Sequence, residues 1–185
     1  MKKLFAILVS LCLVFSAAAL AETSPADIFT IDEGITFGMT QEELAAILGD
    51  TLHDVDTEHT HGPVTFIELE VENTTVFGLK ADVKYNLVDD KLVAVKADFD
   101  DKETGAYDKL KALFEEKLGS VGLAVDMNAL GNGIFALEDD GKLEVGSSYE
   151  CWAVGGTVVV VLEKEKDNDV NAYVIDLAAD YVTVE

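Results

Sequence analysis

Three histidines lie in one short polar segment of this chain, and their spacing suits a metal ion. The segment combines imidazoles and carboxylates, at His53, Asp54, Asp56, Glu58, His59 and His61. Residues two apart face the same side of an extended segment, so His59 and His61 could bind zinc or copper together with a nearby carboxylate. A solvated loop that binds nothing can have the same composition. Both interpretations stay open.

A second candidate metal site lies near the C-terminus, where Asp167–Asn171 begins like a calcium-binding loop. An EF-hand needs glycine at its sixth position and glutamate at its twelfth. Those positions hold Ala172 and Ala178, which excludes an EF-hand. An irregular calcium site that uses Asp167 and Asp169 remains an alternative. Zinc, copper and calcium are therefore the only cofactors the sequence suggests, and it requires none of them.

Nucleophilic catalysis has little support in this sequence. Ser147, Ser148 and Cys151 are close together, but no Gly-x-Ser-x-Gly turn is present and the histidines are far away along the chain. Cys151 stands in an apolar run beside Trp152, which predicts a buried, unreactive thiol. Carboxylates are so frequent that closeness alone does not predict an acid–base pair. The sequence therefore predicts a protein that is not an enzyme.

The aromatic residues of the C-terminal strands allow two interpretations. Trp152, Tyr149 and Tyr173 could form an aromatic binding surface. Their place in apolar alternating segments favours core positions instead.

The charge balance narrows the classes of partner. The chain has 36 acidic residues against 13 basic ones, all of them lysine, and a formal net charge of −23. No basic patch is visible, which excludes nucleic acid as a partner. The acidity fits either solubility alone or a basic partner or cation. An apolar share of 49% is too high for a disordered acidic chain.

The N-terminus has the layout of a secretory signal peptide. Residues 1–3 are Met-Lys-Lys, residues 4–14 are almost wholly apolar, and small residues follow. Ala19 and Ala21 form an A-x-A pattern, so we expect cleavage before Glu22. We therefore expect an exported protein, secreted or held in the periplasmic or cell-envelope space, with no membrane span after the signal is removed.

Two helices are predicted in the mature chain. Thr40 and Glu43 form a capping box, Leu44, Ile47 and Leu48 form an apolar stripe, and a glycine follows at position 49. The second helix is predicted over residues 104–118, again followed by glycine.

Alternating segments predict the strands between and after these helices. Residues 65–72 alternate, and residues 81–87 and 93–99 form a hairpin around Asp89–Asp90. Two further hairpins are predicted, one with strands over residues 134–138 and 142–145 and one with strands over residues 149–154 and 157–163, and a last strand covers residues 170–178. The predicted fold class is α+β, with two tandem helix-then-antiparallel-strands units over approximate repeats 34–101 and 103–180.

These two units are expected to build one domain over residues 22–185. Its predicted architecture is a single curved antiparallel sheet with both helices on one face. The other face would carry charged side chains and offer a binding surface, with Glu68, Glu70, Lys84 and Lys96.

The segment Gly34–Leu44 resembles a motif of small exported bacterial proteins in which an aromatic-Gly-Met-Ser/Thr sequence opens a helix with acidic residues in its first turn. The matching residues are Gly38, Met39, Thr40 and Glu43. Proteins of this type resemble the helix-plus-antiparallel-sheet unit of beta-lactamase inhibitory protein and of small outer-membrane-assembly lipoproteins. The resemblance implies a binding module and transfers no functional residue, because Gly38 supplies backbone freedom and Thr40 caps the helix.

We therefore expect an exported, non-enzymatic binding protein. Its partner would be a protein, a peptide or a cell-envelope component. An exported metal-binding protein and an enzyme of unrecognised type are the alternatives.

Overall fold

The computed structural model describes residues 28–29, 31, 34–54, 59–61, 64–99, 105–119, 147–155 and 157–177. Within them lie helices α1 (Gln41–Leu48) and α2 (Ala106–Leu118), and a 3₁₀ turn covers Gly49–Thr51. The strands are β1 (His53–Asp54), β2 (His59–His61), β3 (Val64–Val76), β4 (Leu79–Val88), β5 (Lys91–Phe99), β6 (Ser148–Gly155), β7 (Val158–Lys164) and β8 (Val170–Asp176).

All these strands belong to one sheet in the order β1-β3-β4-β5-β8-β7-β6, and β2 also pairs with β3. Every neighbouring pair is antiparallel. The predicted α+β class with an antiparallel sheet is therefore confirmed. The predicted signal peptide over residues 1–21 and the hairpin over residues 134–145 lie outside the described residues.

Helix α1 begins as its sequence predicts. The Thr40 side chain accepts a hydrogen bond from the Glu43 backbone N–H at 3.2 Å, and a Glu43 carboxylate oxygen accepts from the Thr40 N–H at 2.9 Å. Leu44 and Leu48 are buried, whereas Ile47 is 38% exposed. The predicted apolar stripe is therefore wrong at Ile47, because the buried face of α1 is narrower than the stripe of apolar residues in its sequence.

The segment before α1 is held against the β4–β5 hairpin. The Gly38 N–H donates to the Leu92 carbonyl at 2.8 Å, and the Leu92 N–H donates to the Met39 carbonyl at 2.7 Å. Gly38 has φ +82°, which glycine adopts without strain. The Gln41 N–H donates to the Asp90 carboxylate at 2.9 Å. Residues at the helix start thus fix where α1 crosses the hairpin turn.

Both helices contribute to one hydrophobic cluster that covers one side of the sheet. Leu44 and Leu48 of α1 and Leu110 and Phe114 of α2 are in it. Residues of strands β4 to β8 that face this side also belong to it: Val83, Tyr85, Leu87, Leu92, Val95, Ala97, Phe99, Trp152, Val160, Leu162, Ala172 and Val174. Alternate positions share a face of a strand, so the residues between them point to the other side.

A bulge in β5 sets which side its residues face. The β4–β5 register shifts by one residue between the Asn86–Ala94 pair and the Leu87–Leu92 pair. The extra residue is Val93, which belongs to a cluster different from that of Leu92. Unbroken alternation over residues 93–99 would place Val93 on the same side as Val95 and Ala97, and the bulge moves it to the opposite side.

The side of the sheet away from the helices is not uniformly wet. A second cluster of buried residues lies there, including Val161 and Ile175, which are both 0% exposed. Strands β7 and β8 are therefore buried on both faces, as their nearly continuous apolar sequences favour. Among the described residues, the charged part of this side lies on β3, β4 and β5 and at the polar positions of β7 and β8.

The three aromatic residues of the C-terminal strands do not share a surface. Trp152 is 2% exposed, packs with Phe114 at a ring-centroid distance of 5.4 Å, and donates from its indole N–H to the Gly119 carbonyl at 3.2 Å. Tyr173 and Tyr149 pack in or against the second cluster, on the other side of the sheet. The core interpretation of Trp152 and Tyr173 is confirmed, and a joint aromatic binding surface is wrong. Neither α1 nor α2 is long and apolar enough to cross a membrane, and the same is true of every helix in the described ranges.

Candidate binding face

We call the sheet surface opposite the helices the polar face where it carries charged or amide side chains. On β3 to β5 its residues are Glu68, Glu70, Lys80, Asp82, Lys84, Asn86, Lys96 and Asp98. On β7 and β8 they are Glu163 and Asn171. The strand registers align these side chains in rows across the sheet. The sequence predicted this face from Glu68, Glu70, Lys84 and Lys96, and all four lie on it.

One row of this face balances its charges. Glu70, Lys84 and Lys96 are successive partners across β3, β4 and β5. The Lys84 ammonium also lies 3.2 Å from a Glu68 carboxylate oxygen, in a half-buried ion pair. Burial raises the pKa of Glu70, and Lys84 opposes that rise. Lys96 is 8% exposed, with its ammonium 5.6 Å from the Tyr173 ring centroid. These lysines are held within the face and are poorly placed to bind an external anion.

The adjacent row concentrates negative charge. Asp82 lies directly opposite Asp98, and Asp98 lies opposite Asn171. Like charges opposite each other in a sheet destabilise it by roughly 0.2–1 kcal/mol. Asp82 is fixed in place, because its carboxylate accepts from the N–H of Asn73 at 2.6 Å, where Asn73 takes φ +54° in a β3 bulge.

A cavity of about 250 Å³ opens at this end of the polar face. The described residues that line it include three carboxylates and one ammonium: Asn73, Lys80, Ala81, Asp82, Asp98, Phe99 and Asp169. We call it the acidic cavity. Asp82 lies in β4, Asp98 lies in β5, and Asp169 lies in the turn that precedes β8. The sheet therefore brings together three aspartates that are far apart in the sequence.

The electrostatics of the acidic cavity centre on Asp98. Burial raises the pKa of Asp98, Lys96 and Lys84 lower it, and Asp82 and Glu163 raise it further. A carboxylate that is partly stripped of water beside a second carboxylate is poorly stabilised when it is charged. A cationic group placed in the cavity would relieve both effects.

We expect Asp98→Asn to raise the free energy of unfolding at pH 7 by about 0.5–1 kcal/mol, because it removes one of two opposed like charges. The folded protein binds the Asp98 proton more tightly than the unfolded chain does. The stability contributed by this group is therefore present at acid pH and falls as the pH rises from its ordinary pKa of 3.8 through its raised folded pKa.

Urea unfolding at several pH values measures this effect. The advantage of Asp98→Asn over wild type should shrink as the pH is lowered towards 3.8, because the wild-type carboxyl is then protonated. Asp50→Asn, at an exposed position on the 3₁₀ turn, removes the same charge and serves as the control. An Asp98→Asn variant less stable than wild type at pH 7 would show that the carboxylate is needed by the fold.

A buried hydrogen-bond network lies beside the acidic cavity. Glu163 is 5% exposed, and one of its carboxylate oxygens accepts from the Tyr173 hydroxyl at 2.8 Å and from the Asn171 amide at 3.2 Å. The same Asn171 amide nitrogen donates to a Glu165 carboxylate oxygen at 2.6 Å. Buried carboxylates need such donors, so this network has a structural role.

The turn between β7 and β8 brings Asp169 together with two further carboxylates. Glu165, Asp167 and Asp169 each place an oxygen within 4.8 Å of the others, and we call them the acidic turn. The Glu165 N–H donates to the Asp169 carbonyl at 2.8 Å, which closes the turn. Burial raises the pKa of Glu165, the charges of Glu163 and Asp167 raise it further, and the Asn171 hydrogen bond and Lys96 lower it. The sequence pointed to Asp167 and Asp169 here, and the structure adds Glu165.

For the predicted histidine pair, the structure describes the backbone only. His59–His61 forms β2, which pairs with the start of β3. His53 lies in β1, which pairs with a later part of β3. Their strand spacing is the one predicted, while the side chains of His59 and His61 lie outside the described part of the structure. Zinc or copper binding by this pair stays a prediction.

Cys151 is buried among apolar side chains, as its sequence context predicts. Burial raises the pKa of its thiol from 9.0 to about 11, and the charge of Glu150 adds to the rise. A rise of this size lowers the thiolate fraction at neutral pH by about 100-fold. The thiol is therefore a packing group.

Comparisons with known proteins do not extend this description. No protein-family model, no curated protein and no solved structure matches the chain. The site is therefore assigned from its own geometry.

Sequence reasoning missed the acidic cavity, although one signal for it was present. Asp82 and Asp98 both stand at polar positions of a predicted hairpin, so they belong on one face. Only the bulge in β5 makes them direct partners, since an unbroken two-residue hairpin at Asp89–Asp90 would pair Asp82 with Ala97. Asp169 joins them because β8 pairs with β5, a contact between distant parts of the chain.

Proposed function

We propose that this chain is an exported binding protein that accepts a basic group of a protein or peptide partner in the acidic cavity, and that it catalyses no reaction. The observation that supports this function best is the convergence of Asp82, Asp98 and Asp169 on one open cavity. Asp82 and Asp98 lie opposite each other in the sheet, and their repulsion destabilises the fold. A bound cation would remove this repulsion, so the free energy that is regained favours binding. Sites kept for function commonly carry such a local cost.

The size and charge of the cavity define the ligand. A volume of about 250 Å³ lies just below the roughly 300–1,000 Å³ of typical small-molecule sites. One long side chain with an ammonium or guanidinium group suits it better than a larger ligand does. Lys80 offsets one of the three carboxylates, which leaves a net negative site. An anionic partner would face repulsion both here and from a chain whose net charge is −23.

The non-catalytic part of the proposal is supported by the side chains that line the cavity. Their carboxylates and amide can hold and orient a cation, and none of the described residues that line the cavity is a serine, cysteine or histidine that could act as a nucleophile. The Cys151 thiol is buried and protonated, with a pKa raised to about 11. Turnover of cell-envelope substrates by the purified mature protein would contradict this part.

The tandem arrangement of the fold and the export of the protein are part of the same proposal. Helix α1 precedes β3–β5 and helix α2 precedes β6–β8, and the last strands of the two sets, β5 and β8, pair at the centre of the sheet. This arrangement supports a tandem duplication over residues 34–101 and 103–180, on a curved sheet within one domain over residues 22–185. Export after cleavage between Ala21 and Glu22 would place the cavity in the periplasm, the cell wall or the medium.

Titration with a short peptide that contains one lysine tests the proposed site. We expect binding with a dissociation constant of about 1 mM, which corresponds to roughly −4 kcal/mol and suits a single engaged side chain. Backbone amide NMR signals of Asp82 and Asp98 should shift in the bound protein. Acetylation of the lysine should abolish the effect, because it removes the charge. The buffer should contain a chelator, so that no divalent cation competes.

A matched pair of double variants separates the site from the overall charge. Asp82→Asn with Asp98→Asn removes two charges from the cavity, and Asp50→Asn with Glu116→Gln removes two from exposed positions elsewhere. Peptide binding should be lost in the first variant and kept in the second. Equal binding by both would mean that diffuse charge, and not the cavity, attracts the peptide.

A further inference from the structure

Asn171 has a buried side-chain oxygen that accepts no hydrogen bond within the described ranges. The residue is 1% exposed, and the atom without a partner is its amide Oδ1. Buried amide oxygens are almost always paired, so a single exception in the core of the sheet requires a physical reason. A donor that is present only under some conditions is one such reason.

Two carboxylates set the orientation of the Asn171 amide. Its Nδ2 atom donates to a Glu163 oxygen at 3.2 Å and to a Glu165 oxygen at 2.6 Å. A half turn of the amide would place its oxygen against these two carboxylates, where it would be repelled and would find no donor. The amide oxygen therefore points away from Glu163 and Glu165.

Asp98 is the neighbour of Asn171 on the side away from β7. Strand β8 lies between β7 and β5, so Asn171 pairs with Glu163 on one side and with Asp98 on the other. Directly opposite residues have their Cβ atoms about 4.5–5.5 Å apart, which lets a carboxyl group reach an amide. A charged carboxylate has acceptors only, as the Asn171 oxygen does. The two groups can form a hydrogen bond only when Asp98 carries a proton.

We propose that Asp98 and Asn171 form a proton switch, in which Asp98 takes up a proton from solvent and its carboxyl O–H donates to the Asn171 Oδ1 atom. The hydrogen bond gives the buried oxygen its partner and removes one negative charge from the acidic cavity. A hydrogen bond made only by the neutral form stabilises that form. It therefore acts in the same direction as the burial that already raises the pKa of Asp98.

The charged groups around Asp98 act on the switch in both directions. Asp82 on β4 and Glu163 on β7 favour uptake of the proton, whereas Lys96 on β5 and Lys84 on β4 oppose it. Two further charged residues of opposite sign line the acidic cavity with Asp98: Lys80 and Asp169. Burial is the largest of these effects, so the folded protein takes up this proton at a higher pH than an ordinary aspartate does.

The switch would regulate the acidic cavity, a consequence that rests on the proposed function. Uptake of the proton leaves two carboxylates and one ammonium among the described lining residues, so a basic group is held less tightly. Asp98→Asn has no charge at any pH, and its amide can donate to the Asn171 oxygen as the protonated carboxyl does. We expect the lysine peptide to bind this variant about fivefold more weakly than wild type at pH 7, the size of one partly exposed ion pair. Equal affinities would overturn this consequence.

NMR titration of the free mature protein, from neutral pH downwards, tests the switch without any peptide, so it can fail or hold whether or not the peptide binds. The Asp98 carboxyl carbon should titrate with a midpoint above the ordinary value of 3.8. The side-chain carbonyl carbon of Asn171 should shift with the same midpoint, because a new hydrogen bond polarises that carbonyl. Glu165→Gln is the control and should keep this shift, since Glu165 accepts from the amide nitrogen.

Asp82→Asn moves the midpoint of the switch from the opposite side of Asp98. It removes a carboxylate that repels Asp98, so the midpoint of Asp98 should fall. The shift of the Asn171 carbonyl carbon should move to the same lower pH, and it should be absent in Asp98→Asn. An Asn171 signal that stays unchanged while Asp98 titrates would overturn the proposal. So would an Asn171 midpoint that differs from that of Asp98 in wild type or in Asp82→Asn.

Discussion

Phe114→Ala is expected to lower the free energy of unfolding by about 3–5 kcal/mol, the usual cost of removing a buried phenylalanine. Phe114 is 0% exposed and connects α2 to the rest of the core. The centroid of its ring lies 5.5 Å from that of Phe77 and 5.4 Å from that of Trp152, and both pairs have edge-to-face geometry. Aromatic pairs of this kind add about 0.5–1.5 kcal/mol beyond the burial of apolar area. Truncation removes both contacts and leaves a cavity between helix and sheet.

Urea unfolding followed by far-ultraviolet circular dichroism measures this loss. Tryptophan fluorescence is less suitable, because Trp152 contacts the substituted residue. Ile47→Ala is the matched control: it removes a large apolar side chain from a helix, but from a position that is 38% exposed. We expect it to change stability by less than about 1 kcal/mol. Similar losses for both variants would mean that α2 is not packed on the sheet as described.

Tyr173→Phe is expected to destabilise the protein by about 1–3 kcal/mol, although the ring that packs in the second cluster is kept. The hydroxyl of Tyr173 donates to Glu163 at 2.8 Å, and Glu163 is 5% exposed. Its removal deprives a buried carboxylate of a donor, and the Asn171 amide at 3.2 Å is shared with Glu165. Water has little access to Glu163, so solvent does not readily replace the lost donor.

A double-mutant cycle of Tyr173→Phe with Glu163→Gln isolates this interaction. The effect of Tyr173→Phe should be smaller when position 163 is uncharged, because a neutral acceptor tolerates the loss of a donor better. Tyr107→Phe removes a hydroxyl from a half-buried position on α2 and should cost less than Tyr173→Phe. Additive effects at positions 163 and 173 would show that the hydrogen bond contributes nothing to stability.

Local sequence signals were sufficient for the elements whose ends are set by neighbouring residues. The capping box of Thr40 and Glu43 starts α1 at Gln41, and glycine follows both helices. The β4–β5 turn at Asp89–Asp90 is formed by two residues with φ +47° and +60°, which aspartate tolerates. Each signal depends on hydrogen bonds or backbone angles a few residues apart. Such interactions exist in any context, so the sequence can report them.

The predicted charged face lies opposite the helices, on the side of the sheet that alternation indicated. Alternation placed Glu68, Glu70, Lys84 and Lys96 together, and the structure agrees. The lysines, however, are held by neighbouring groups on the face, and Lys96 is nearly buried. The candidate site is the adjacent acidic row. Alternation fixes which side of a strand a residue faces, whereas it does not fix which residues lie beside it on the next strand.

The sequence by itself determined the α+β class, the helix starts, the strand alternation and the strongly acidic character of the chain, because each follows from residue types at short spacing. Only the tertiary structure decided the bulge that sets Asp82 against Asp98, the pairing of β5 with β8, and the arrival of Asp169 and Asn171 beside them. These contacts depend on the register between strands that are distant in sequence. Register is chosen by the packing of the whole sheet, and no short segment contains that information.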